Sequence, residues 1–161
     1  MLDTLPAPRL DAVFDVTVAL GPLADHGATR AGRRRVIPIL GGSLQGIGAF
    51  AGLGGAEIEP GGADWQLVRP DGAIEIDTRY TARTPQGERI YLQTRGLRTG
   101  PPAVLAALAR GESVDPRDYA FRITVHFETS APRLAALEQS VFLASAARSA
   151  DAVHHRVYRV G

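Results

Sequence analysis

The stretch "YAFRITVHFET" (119–129) decides the fold class, because its apolar residues recur at every second position. Successive side chains of an extended chain point to opposite sides. Tyr119, Phe121, Ile123, Val125 and Phe127 therefore share one face, and Arg122, Thr124, His126 and Glu128 share the other. The same period runs outward from it in both directions. "AVFDVTVAL" (12–20), "RRVIPIL" (34–40) and "ADWQLVR" (63–69) read as strands, the last followed by a "PDG" turn at 70–72. In "AIEIDTRYTAR" (73–83), Ile74, Ile76, Thr78 and Tyr80 oppose Glu75, Asp77, Arg79 and Thr81. "ERIYLQTRGL" (88–97) sets Tyr91, Gln93 and Arg95 against Ile90 and Leu92.

Two segments break the alternation. "PPAVLAALARG" (101–111) opens with prolines, continues in helix formers and stops at glycine, and "APRLAALEQS" (131–140) predicts a second, shorter helix. The tail has alanine-rich helical propensity, but it is split by "SAD" and ends in the alternating "VHHRVYRV". It is read as a closing hairpin, 141–148 with 153–160. About eight to ten strands with two short helices make an all-β sandwich or barrel. No internal repeat or domain break is visible, so residues 1–161 are read as one domain with a lead-in over 1–11.

Composition narrows the chemistry. Of 161 residues, 45% are hydrophobic and 22% charged, a globular balance. Cysteine is absent, which excludes disulfides, thiolate catalysis and cysteine metal sites. The 18 residues of the Lys and Arg class are all arginine, so a lysine Schiff base or lysine general base is excluded. The net charge of +1 argues against broad nucleic-acid binding, and the run Arg33–Arg35 reads as an exposed strand start after the "ADHGATRAG" turn. The N-terminus lacks a basic start followed by an apolar run, and no apolar stretch has the length of a membrane span. A cytoplasmic location without membrane association is expected.

Nine of the 18 glycines fall between Gly41 and Gly62, interleaved with Leu44, Ile47, Phe50, Leu53 and Ile58. That pattern predicts short strands with tight bends or bulges rather than a linker. "GIGAFA" fits a dinucleotide-binding fingerprint formally, but "GLGGAEIEPGG" follows it and cannot open a helix of useful length.

Four blocks, "GRRRVIPILGGSLQG", "PGGADWQLVRPDGAIEIDTRYTARTPQGERIYLQTRG", "GPPAVLAALARGESVDPRDYAFR" and "FETSAPRLAAL", resemble in order the "domain of unknown function 3237" family. The resemblance spans about Phe14 to Val160. It implies a closed antiparallel β-barrel similar to lipocalin and allene-oxide-cyclase barrels, in dimers, and no particular reaction. The chain departs from the family pattern at Ala120-Phe121-Arg122, and at Leu134, Ala136 and Glu138. Two aromatics and an amide are lost there, which predicts a differently shaped barrel mouth.

Asp64 is the leading candidate for chemistry. It shares a strand face with Gln66, and its neighbour Trp65, the only tryptophan, points the other way unless the strand is bulged. One reading has Trp65 filling the core while Asp64 caps the Gly61–Gly62 turn. In the other, Asp64 faces an apolar cavity, where desolvation raises its pKa toward that of a general base. A bulge at Pro60-Gly61-Gly62 would bury both Asp64 and Trp65 beside one pocket.

Alternation does not say whether the polar rows face the lumen or solvent. If they face the lumen, Arg79 and Arg122 stabilise a developing enolate, and Trp65, Tyr91, His126 and Glu128 contact the substrate. The four histidines form no metal-binding spacing: His154 and His155 are adjacent and diverge on a strand, and His26 lies in the predicted turn. No cofactor or metal is expected. The reading is a cofactor-independent isomerase, cyclase or lyase acting on a small, largely apolar carbonyl compound. The alternative is a binding module for a small hydrophobic ligand. A homodimer is expected from the amount of apolar β-surface.

Overall fold

The computed structural model describes residues 1–161. It contains ten strands: β1 (Leu10–Leu20), β2 (Ala24–Thr29), β3 (Gly32–Gly46), β4 (Gly55–Ile58), β5 (Ala63–Val68), β6 (Ile74–Arg83), β7 (Arg89–Thr99), β8 (Ala120–Thr129), β9 (Val141–Arg148) and β10 (Ala152–Val160). One helix, α1 (Pro102–Ala109), joins β7 to β8. All pairings are antiparallel, and β1 bonds to β10 on one side and to β3 on the other, so the sheet closes on itself. The ring runs β1, β10, β9, β8, β7, β6, a place shared by β4 and β5, then β3. The expected closed barrel is what the chain forms.

Closure depends on a bend in β3. Its first half, Arg33–Pro38, pairs with β5, and its second half, Gly42–Gln45, pairs with β4 while also pairing with β1. The switch falls at Gly41 and Gly42, with φ of +151° and +139°. L side chains rarely adopt such angles, and a Cβ on Gly42 would overlap the Thr17 carbonyl. The glycine concentration is thus where one strand passes from one partner to another.

The sequence expectation is corrected in three places. "ADHGAT" is not a turn but strand β2, hairpinned to β3 and outside the ring, and His26 lies on it. The second helix is a short 3-10 turn, Pro132–Leu137. A further 3-10 turn, Gly48–Leu53, lies between β3 and β4.

The barrel interior has two unlike halves. At one end the rings of Phe14, Phe50, Phe127 and Phe142 stack against one another, with centroids 4.9 to 6.3 Å apart. Phe50 comes from the 3-10 turn Gly48–Leu53, and Leu134 and Leu137 from the other turn join the same core. This is a solid plug. At the other end, under α1, the inward positions turn polar. No helix is long and apolar enough to cross a membrane.

Candidate functional site

The polar half of the interior is assembled from residues that interrupt apolar rows. On β6 the inward row Ile74, Ile76, Thr78, Tyr80 and Ala82 contains Thr78. On β7 the inward row Ile90, Leu92, Thr94 and Arg98 begins apolar and ends in a charge. β5 contributes Asp64 and Gln66, and β10 contributes His155. The register sets Asp64 opposite Thr78, and Thr78 opposite Thr94, so these three lie side by side across neighbouring strands.

Asp64 is 6% exposed. Its Oδ2 accepts a hydrogen bond of 2.6 Å from Gln66 Nε2, while Oδ1 has no partner. Burial pushes the Asp64 carboxyl above its ordinary range. The Gln66 bond, the nearby Thr78 hydroxyl, the Asp77 backbone N–H and the Arg98 charge oppose that rise.

Across the chamber, the Tyr80 hydroxyl lies 3.4 Å from His155 Nε2. Burial raises the Tyr80 pKa, so Tyr80 stays a phenol and is the donor of the two. Burial and the neighbouring His154 lower His155 to about 4, so its ring is neutral at physiological pH. With Nε2 accepting, the ring proton sits on Nδ1, which is buried without a partner. Asp64, Thr78, Tyr80, Thr94 and His155 line one cavity of about 30 Å³, walled otherwise by apolar residues such as Ile76 and Phe121. That is room for a water or a ligand of a few atoms. An outer concavity of about 620 Å³ is shallow and lined by paired charges such as Asp15 and Arg156, 2.7 Å apart, and no chemistry is placed there.

Arg98 is also inward, at the chamber's end, its guanidinium 5.5 Å from the centroid of the Phe121 ring. Burial lowers its pKa to about 10, so it remains a cation at neutral pH.

Of the residues singled out from the sequence, only Asp64 reaches this chamber. Trp65 is 47% exposed, because Asp64 and Gln66 take the inward positions on either side of it and the Gly61–Gly62 turn precedes the strand without rotating it. Arg79 and Arg122 lie on the outer face with exposed or half-exposed side chains; Arg79 pairs with Asp77 at 3.6 Å, and Arg122 bonds the Phe121 carbonyl at 3.0 Å. His126 and Glu128 are exposed and face each other at 3.6 Å, and Tyr91 is half-exposed on the same side of the sheet. Of the two readings left open, the one that turned the polar rows toward the lumen does not hold. The ring has one interior, and burying the Ile and Phe rows gains hydrophobic free energy where burying charged rows would cost desolvation. The altered mouth is corrected as well: Ala120 points outward, Ala136 and Glu138 are exposed, and Leu134 packs into the plug.

Comparison with known proteins agrees with the barrel. A family model described as "protein of unknown function (DUF3237)" matches residues 8–160. The chain belongs to this family. It is 40% identical over 155 residues to UPF0311 protein RPA1785 of Rhodopseudomonas palustris, covering 96% of this chain and 98% of that protein. The crystal structure of RPA1785, a conserved protein of unknown function, superposes with a TM-score of 0.89 at 37% identity, covering 98% and 100% of the two chains. A "beta-barrel like protein" from Acinetobacter baumannii superposes with a TM-score of 0.82 at 40% identity over 98% and 99%. The structure of an enzyme from Penicillium herquei is similar at a TM-score of 0.70 and 15% identity, over 98% of each chain, which is a likeness of fold alone.

Proposed function

We propose that this family member is a cofactor-independent enzyme that moves a proton on a small carbonyl compound held in the polar half of the barrel. The observation that carries this reading is Asp64: a buried carboxyl with one oxygen fixed by Gln66 and the other unpartnered on the wall of the cavity. A carboxyl whose pKa is raised by burial is a stronger base once ionised, and suits abstraction of a proton next to a carbonyl. His155 Nδ1–H supplies a neutral donor for the developing enolate oxygen, its tautomer held by the Tyr80 hydroxyl at Nε2, in place of the arginines expected from the sequence. Return of the proton to another carbon gives isomerisation, internal attack by the enolate gives cyclisation, and expulsion of a β-substituent gives a lyase reaction.

The test is deuterium incorporation. The protein is incubated with pyruvate in D2O, and methyl-proton exchange is followed by NMR. Wild type exchanges faster than buffer, and Asp64→Asn returns to the buffer rate. Exchange at wild-type rate in a folded Asp64→Asn variant removes Asp64 from the mechanism.

A binding module for a small ligand is the second reading, favoured by the cavity's mostly apolar wall and by the pull of burial toward a protonated, non-basic Asp64. It predicts a ligand that co-purifies and stays chemically unchanged on long incubation.

A further inference from the structure

Arg98 is 4% exposed, yet its side chain makes neither a hydrogen bond nor an ion pair; Nε and Nη1 are both buried and unpartnered. Its guanidinium lies over the face of Phe121. A desolvated guanidinium is costly unless an anion and hydrogen-bond acceptors surround it, and a cation–π contact offsets only part of that cost. The nearest acid, Asp64, does not close an ion pair with it, being turned to Gln66.

Two more arginines occupy inward positions at the same end of the barrel. Arg35 on β3 sits opposite the buried Gln66, and Arg148 on β9 sits opposite Val153 of the cavity wall. Both are half-buried. Arg35 makes neither a hydrogen bond nor an ion pair, while Arg148 Nε donates to the Ser149 carbonyl at 2.7 Å. Tyr119 approaches from the α1 side and its hydroxyl accepts a hydrogen bond from the Arg148 backbone N–H at 2.9 Å. Arg98 feels the charges of Arg35, Arg148 and Asp64. Three cations thus stand at one end of the barrel interior, where the single buried acid is the group argued above to accept a proton.

We propose that Arg98, flanked by Arg35 and Arg148, is an anion subsite, and that the substrate is a small carbonyl compound bearing a carboxylate. The guanidinium fork matches a carboxylate with two parallel N–H donors. The carboxylate anchors at the end of the barrel, and the carbonyl and its α-carbon then extend toward Asp64 and His155. The carbonyl half of this statement rests on the proposed function; the anion half does not.

Calorimetric titration with pyruvate and with its neutral methyl ester, at constant ionic strength, tests it. Wild type binds pyruvate saturably and the ester at least about 10-fold more weakly. Arg98→Gln loses at least about 10-fold in pyruvate affinity, whereas Phe127→Ala, in the aromatic plug, stays within a few-fold of wild type. Equal affinity for acid and ester, or an unchanged affinity in folded Arg98→Gln, overturns the subsite. Where Arg98→Gln fails to fold, Arg148→Gln and the acid–ester comparison on wild type decide the same question. Pyruvate binding that needs Arg98 but brings no deuterium exchange sinks the proton-transfer reading and leaves the subsite standing.

Discussion

Asp64 and His155 face one cavity, and burial moves them in opposite senses. Burial favours the protonated form of Asp64 in the folded chain. Stability from this group is complete below the unfolded aspartate value near 3.8 and is lost as pH rises through the higher folded value. Asp64→Asn removes that loss, so the variant is expected to melt above wild type at neutral pH and to lose the advantage in acid. Thermal melts across pH check it. His155 does the reverse. Its folded pKa of about 4 lies below the ordinary 6.5, so its contribution is complete above that ordinary value and is lost as pH falls toward about 4. At ~1.4 kcal/mol per pH unit, the loss across that window is on the order of 3 kcal/mol. His155→Gln is expected to flatten this acid limb in denaturant titrations, and an unchanged limb would place the acid sensitivity elsewhere.

At the scale of the element, β3 determines whether the barrel closes. Gly42→Ala places a methyl group on the Thr17 carbonyl at a φ of +139°. It is expected to cost ~1–3 kcal/mol or more by urea unfolding. Gly72→Ala, also at positive φ but in an open turn, is the milder comparison. The strands themselves were legible, because period-two rows and turn residues are local signals. β2 was not, since "ADHGAT" carries no apolar alternation and forms a strand only because β3 offers it an edge, whereas β4 falls within the short strands expected of the glycine-rich stretch, with Ala56 and Ile58 turned inward. Which face is inside was not legible from polarity alone: alternation sorts residues into two rows without naming the interior one. The usable signal lay in the exceptions. Thr78 among isoleucines, Arg98 at the end of the row of Ile90 and Leu92, and His155 between Val153 and Val157 are polar residues in otherwise apolar rows. The conspicuous charged rows of Arg79 and Arg122 only solvate the outer face.

For the whole molecule, the division into an aromatic plug and a polar chamber separates stability from chemistry. Phe127→Ala is expected to destabilise by ~3–5 kcal/mol while leaving pyruvate affinity within a few-fold, because the ring packs on Phe14 and Phe142 rather than on the cavity. The homodimer expected from the sequence is retained as a proposal, supported by the exposed apolar side chains Leu97, Val141 and Leu143 on the outer sheet. Light scattering at micromolar concentration then gives twice the monomer mass of 17.1 kDa, and a monomer mass counts against it. The central claim is that the barrel encloses a carboxyl made more basic by burial. Titration of the Asp64 side-chain carbonyl carbon by NMR measures that directly. The account predicts a midpoint above the ordinary 3.8, and a midpoint at or below 3.8 would contradict it.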